Sequence, residues 1–161
     1  MKSLTKYLGD PCSDGSFTTF YKIKGRKTMG FKDFESKSEA IHAMENQRVL
    51  ATRDLAPRVY GDVRKIDYLD DCGVKRRSNW GFVTEIAKTI DDEGYEARYD
   101  DDDGDFHDSV ENLVFEMQNK CDINFGDCHA RNVGWVKRGK REVLVCIDTG
   151  RESFSGEYRY P

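Results

Sequence analysis

The sequence has little proline and no long uncharged apolar run. Three prolines in 161 residues leave no proline-rich linker, and no internal repeat is visible. Its apolar runs are shorter than about ten residues, whereas a membrane-spanning helix needs roughly 20. The first residues also lack the apolar segment of a signal peptide. We therefore expect a cytoplasmic protein without a membrane partner.

Paired cysteines and a basic surface are missing as well. The five cysteines are an odd number without a C-x-x-C pair, which favours free thiols over a disulfide framework or a zinc site. The net charge is −4 and no basic stripe stands out, so we expect no nucleic-acid partner. Nine phenylalanines and eight tyrosines supply enough apolar material for one folded domain.

The order of predicted elements is strands with one helix, followed by a helix and a hairpin. Aromatic and β-branched residues predict strands at 17–23, 28–34, 58–61, 63–69, 80–90, 133–136 and 143–147. Apolar residues at helical spacing predict helices at 39–52, capped by Ser36 or Ser38, and at 106–121. Residues 70–79 are predicted to form a polar turn and residues 91–105 an acidic loop. The pattern predicts an α+β class.

Three oxygen-bearing side chains flank the predicted C-terminal hairpin. Asp127 and Asn132 precede it in the segment F-G-D-C-H-A-R-N, and Asp148 follows it in I-D-T-G. A hairpin between them can bring these side chains to one point. Carboxylate and amide oxygens suit a hard cation such as Mg²⁺ together with nucleotide phosphates. A further carboxylate can orient or deprotonate a hydroxyl nucleophile.

These residues carry a resemblance to a known family. The pattern G-D-x-H-x-x-N, followed two strands later by I-D-x-G, resembles the eukaryotic-type kinase fold, most closely its aminoglycoside phosphotransferase and choline kinase branch. The resemblance implies that Asp127 is the catalytic base and that Asn132 and Asp148 are the metal ligands. It implies a bracing role in the loop for His129.

The resemblance extends to earlier parts of the chain. Met29-Gly30-Phe31-Lys32 is placed like V-A-I-K, which implies that Lys32 contacts the nucleotide phosphates. Glu45 would pair with Lys32, and Glu39 is the alternative. The same resemblance assigns nucleotide contacts to a glycine-containing loop and a hinge, represented here by Gly15, Ser16, Glu85, Ile86 and Ala87.

The family implies a bilobal fold that binds ATP and one or two Mg²⁺ in a cleft. One kinase-like domain would cover 1–161. A small antiparallel-sheet lobe with one helix and the hinge would occupy about 1–87, and a reduced lobe with the catalytic hairpin about 88–161. The chain departs from the family at Thr149, where an aromatic residue is usual. It also ends at Pro161, before the helices that build the acceptor site in relatives.

The implied activity is transfer of the γ-phosphoryl group of ATP to a hydroxyl acceptor, either a small molecule or a protein. Two alternatives remain open: a catalytically weak pseudokinase, and an interaction or inhibitor module that never uses the cleft. A homodimer that completes the acceptor wall is also open. Asp127, Asn132 and Asp148 are also common turn residues, and Lys32 and Glu45 have the alternative of facing solvent.

Overall fold

The computed structural model describes residues 8–14, 18–89, 104–125 and 132–150. The chain divides into two compact units, the first formed by 1–45 and 59–86 and the second by 46–58 and 87–161. In the described residues these units consist of antiparallel strands and two helices, so the predicted α+β class is confirmed. Among the described residues, no helix is both long enough and apolar enough to cross a membrane.

The first unit contains a five-stranded antiparallel sheet in the order β1-β2-β3-β5-β4. Its strands are β1 (Leu8–Asp14), β2 (Thr18–Ile23), β3 (Met29–Phe34), β4 (Val59–Leu69) and β5 (Lys75–Glu85). β3 lies between β2 and β5, and its neighbours pair with it in unbroken register from Gly30 to Phe34. Consequently β3 is an interior strand, and its residues from Gly30 to Phe34 are buried.

The two faces of this sheet have separate cores because successive side chains of a strand point to opposite sides. On one face, Phe34 and Phe82 stack with ring centroids 6.0 Å apart and pack against Ala40, Ala43 and Met44. On the other face, Phe31 packs with Leu8 and Ile66. A helix therefore covers one face of the sheet, and that face also receives the side chains of even-numbered β3 residues.

That helix is α1 (Lys37–Ala51), which continues from the first unit into the second. Ser36 caps it, since its hydroxyl oxygen accepts the amide hydrogen of Glu39 at 3.5 Å. The helix ends where Asp54 adopts a left-handed φ of 56° and the amide of Leu55 donates to the Leu50 carbonyl. This hydrogen bond closes a Schellman-type C-terminus with aspartate where glycine is usual.

The second unit combines α2 (Gly104–Cys121) with a three-stranded sheet in the order β6-β7-β8. The strands are β6 (Lys88–Thr89), β7 (Val133–Arg138) and β8 (Arg141–Cys146). The predicted apolar face of α2 is confirmed at Val110, Leu113 and Met117, which are buried in one core. Leu50 and Leu55 join that core with Val133 and Leu144 of the hairpin.

Some predicted boundaries are wrong. Residues 58–61 and 63–69 were expected as two strands, but β4 is one strand from Val59 to Leu69, with a register shift beside Gly61, where φ is 78°. The predicted turn at 70–79 is too long, because β5 begins at Lys75 and extends the ladder with β4. β1 is not predicted, since Gly-Asp-Pro-Cys-Ser-Asp is typical of turns, yet it pairs with β2 as an edge strand, where proline is tolerated.

Candidate functional site

Asn132 and Asp148 lie at the same end of the β7–β8 hairpin. The ladder pairs Val133 with Cys146, and the Ile147 amide donates to the Asn132 carbonyl at 2.9 Å. Asn132 is therefore cross-strand from Ile147, and Asp148 is the next residue along. This arrangement brings together two of the three oxygen-bearing residues that sequence analysis singled out.

A tight turn fixes the Asp148 carboxylate. Its Oδ1 accepts the backbone N–H of Gly150 at 3.1 Å, and its carbonyl accepts the Cys146 thiol hydrogen at 3.1 Å. A carboxylate has about four acceptor positions, so this bond leaves capacity for a cation. Asn132 is buried, whereas Asp148 is partly exposed. Mg²⁺ prefers one or two carboxylates and a few other oxygen ligands, so Asp148 and Asn132 have the chemistry of candidate ligands.

Thr149, the residue after Asp148, hydrogen-bonds to a buried polar residue that the sequence did not predict. Gln47 of α1 is completely buried and donates from Nε2 to the Pro57 carbonyl at 2.9 Å. Its Oε1 accepts the Thr149 hydroxyl at 3.4 Å, and Asn46 Nδ2 donates to the Thr149 carbonyl at 3.4 Å. The available signal was Gln47 itself, a polar residue on the predicted apolar face of this helix.

Lys32 is buried on the α1-covered face of the first unit's sheet. It pairs across the ladder with Phe82, and its Nζ lies 5.8 Å from the centroid of that ring. Only 8% of the residue is exposed. The alternative of an outward-facing strand lysine is therefore wrong. A buried ammonium is costly unless nearby groups compensate its charge.

Two glutamates of α1 were considered as partners of Lys32. Glu45 is exposed, while Glu39 is partly buried in the first turn, next to its cap Ser36. Exposure of Glu45 gives its carboxylate full access to water, which weakens any ion pair it forms. Burial thus makes Glu39, the alternative, the more protected of the two carboxylates.

The predicted hinge follows β5. Glu85 is the last residue of that strand, and the Ile86 amide donates to the Thr28 carbonyl at 2.9 Å. The boundary between the two compact units falls between Ile86 and Ala87. All three residues are partly buried. Gly15, Ser16, Asp127 and His129 lie outside the described residues.

A second buried charge, at Asp33, was not predicted. Asp33 points to the sheet face opposite Lys32, where its Oδ2 accepts hydrogen bonds from the Tyr68 hydroxyl and from Asn79 Nδ2. No described residue donates to Oδ1, which is also buried. Burial raises the pKa of Asp33, and the hydrogen bonds from Tyr68 and Asn79 oppose that rise. Burial and Asp33 together raise the pKa of Tyr68, so its hydroxyl stays protonated.

Within the described ranges, no group of three or more His, Cys, Asp or Glu side chains is arranged to hold a metal ion. Asn132 and Asp148 do not form such a group, because they supply one amide and one carboxylate. Comparison with known proteins finds no family model that matches the chain and no curated protein with a significantly similar sequence.

Proposed function

We propose that the chain has a kinase-like bilobal fold and is an ATP- and Mg²⁺-dependent phosphotransferase with a hydroxyl acceptor. The observation that carries this proposal is the hairpin end, where Asn132 lies opposite Ile147, the residue before Asp148. Together with the segment G-D-x-H-x-x-N, that placement matches the metal-binding half of the motif.

Lys32 supports the same proposal independently. Protein kinases carry the phosphate-binding lysine on their third strand, ahead of a helix. Lys32 lies on β3, which α1 follows, and its side chain is buried on the face that α1 covers. A lysine whose side chain simply faces solvent would not be buried in this way.

The chain's residues would divide the reaction as follows. Asn132 and Asp148 would hold Mg²⁺, which neutralises phosphate charge when bound, and Lys32 would contact phosphate oxygens. Asp127 would accept the proton of the acceptor hydroxyl while the hydroxyl oxygen forms a bond to the γ-phosphorus of ATP. The bond from that phosphorus to the bridging oxygen breaks, and ADP leaves with the electron pair. The backbone at Glu85–Ala87 would contact adenine.

The first test is thermal stability with ATP, with and without Mg²⁺. Saturation at about 100 times the Kd stabilises a protein by about 2.7 kcal/mol, or roughly 5–10 °C for this chain length. We expect Asp148→Asn to lose the Mg²⁺-dependent part of the shift. This variant keeps an oxygen that accepts the Gly150 amide hydrogen, so the turn survives.

Asp108→Asn is the matched control, since Asp108 is an exposed aspartate of α2 in the same unit. It should keep the full shift. No shift at millimolar ATP with Mg²⁺ would contradict the proposal and favour the interaction module. Binding without phosphoryl transfer, unchanged by Asp127→Asn, would favour the pseudokinase.

A further inference from the structure

Gln47 connects three chain segments inside the second unit. Glutamine is seldom fully buried, because both ends of its amide need partners away from water. Here both ends have one: Nε2 donates to Pro57 in the turn after α1, and Oε1 accepts from Thr149 after β8. The amide side chain therefore joins the helix, the turn and the segment that carries Asp148.

The backbone around Asp148 depends on this connection. Ladder hydrogen bonds of the β7–β8 hairpin end with the Ile147 amide. Beyond that point Thr149 is held twice by α1, through its hydroxyl by Gln47 and through its carbonyl by Asn46. Gln47 and Thr149 are both buried, with Thr149 only 1% exposed, so the hydrogen bond between them lies away from water.

We propose that Gln47 and Thr149 are positioning residues that hold Asp148 in place for a magnesium–nucleotide complex. The inference rests on the proposed function, in which Asp148 binds the metal. Residues that hydrogen-bond to or orient metal ligands typically change metal affinity by about 10–100-fold when they are removed. Because the amide and the hydroxyl are uncharged, they can hold the segment without adding an anion that would compete with the Asp148 carboxylate for Mg²⁺.

The test is the Mg²⁺ concentration that half-saturates the chain in the presence of ATP. Thr149→Val keeps the shape of the side chain and removes only the hydroxyl. We expect it to raise that concentration about 10–100-fold, and Thr149→Ser to restore it to within about threefold of wild type. The ATP affinity measured in EDTA should be the same in all three proteins, because the metal ligand does not contribute there.

Thr52→Val is the control. Its hydroxyl donates to the Val49 carbonyl at 2.6 Å in the same unit, but it is exposed, and its partner belongs to α1 and not to the segment that carries Asp148. It should leave the Mg²⁺ dependence unchanged. A lower melting temperature in Thr149→Val with an unchanged Mg²⁺ requirement would mean a purely structural role and would overturn the inference.

Asn46→Ala keeps the inference testable if Thr149→Val fails to fold. It removes the hydrogen bond to the Thr149 carbonyl and should raise the Mg²⁺ requirement about threefold or more; no change there would overturn the inference. The two failures are distinguishable. If wild type itself binds ATP without any Mg²⁺ dependence, the proposed metal site falls, and the inference falls with it. If wild type shows the dependence and the variants match it, only the inference falls.

Discussion

The two compact units differ in whether their buried polar residues include charged ones. The first unit buries a cation and a carboxylate, Lys32 and Asp33, on opposite faces of one sheet. The second buries neutral groups, Gln47, Thr149 and Asn132, around the end of a hairpin. Because only ionisable groups change charge with pH, the stability of the first unit should depend on pH at these positions, while the second unit's buried network should not.

The largest expected effects come from the two apolar cores, and the tryptophans allow each to be measured separately. Trp80 packs on the first unit's core and Trp135 on the second's, and the sequence has no other tryptophan. In a Trp135→Phe background, Phe82→Ala should cost about 3–5 kcal/mol of unfolding free energy in urea. In a Trp80→Phe background, Met117→Ala should cost about 2–5 kcal/mol.

Phe115→Ala provides the control for both truncations. Phe115 lies on α2 two residues before Met117 but is 59% exposed, so its loss should change stability by no more than about 0.5 kcal/mol. A cost below about 1 kcal/mol for Phe82→Ala, read through Trp80, would mean that this core does not hold the first unit together.

The comparison also explains what the sequence could predict. Periodicity predicts α2 because Val110, Leu113 and Met117 repeat at helical spacing toward one core. Spacing predicts that Asn132 and Asp148 meet, because one hairpin separates them. The buried charge at Asp33 is a different matter. A strand pattern gives each residue a face, but the partners of the buried Asp33 carboxylate, Tyr68 and Asn79, lie 35 and 46 residues away in sequence.

The same reasoning applies to β1 and to Gln47. The turn-forming sequence of β1 becomes a strand only through its pairing with β2. Gln47 occupies a position on the apolar face of α1, but its partners Pro57 and Thr149 come from two other segments. Local propensity contains no information on such long-range partners, and tertiary contacts override it.

Asp33→Asn tests the buried carboxylate. The folded-state pKa of Asp33 is raised by burial, so the folded protein favours the protonated form. Its favourable contribution is complete below the ordinary aspartate pKa of about 4 and is lost as pH rises through the raised folded-state value. Asp33→Asn should therefore gain stability relative to wild type above about pH 4, by at most about 1.4 kcal/mol per pH unit.

Urea unfolding between about pH 4 and pH 8 measures this effect. Asp71→Asn, at an exposed turn of the same unit, should follow the wild-type pH dependence closely. If the free-energy difference between Asp33→Asn and wild type stays constant with pH, Asp33 titrates alike in the folded and unfolded chain, and the contrast between the two units loses its basis.

The smallest effect belongs to a charge pair of the second unit whose acidic partner is exposed. Arg138 Nε donates to Asp54 Oδ1 at 2.8 Å; the Asp54 side chain is 58% exposed, whereas that of Arg138 is 8% exposed. Asp54→Asn removes the charge and keeps a residue that tolerates the left-handed φ of 56°. We expect a loss of about 0.2–1 kcal/mol that shrinks as salt is added.

Asp122→Asn, at the end of α2, is the control for removing an aspartate charge at a left-handed backbone position. Asp122 also has a left-handed φ, of 54°, and accepts a hydrogen bond from Gln118 Nε2 that an asparagine oxygen can replace. Its stability should match wild type, because the substitution keeps both the backbone conformation and the acceptor. If Asp54→Asn instead costs several kcal/mol at low salt and the cost falls as salt is added, charge stabilises the second unit as well. The distinction would then lie in where charges sit in each unit, not in whether they matter.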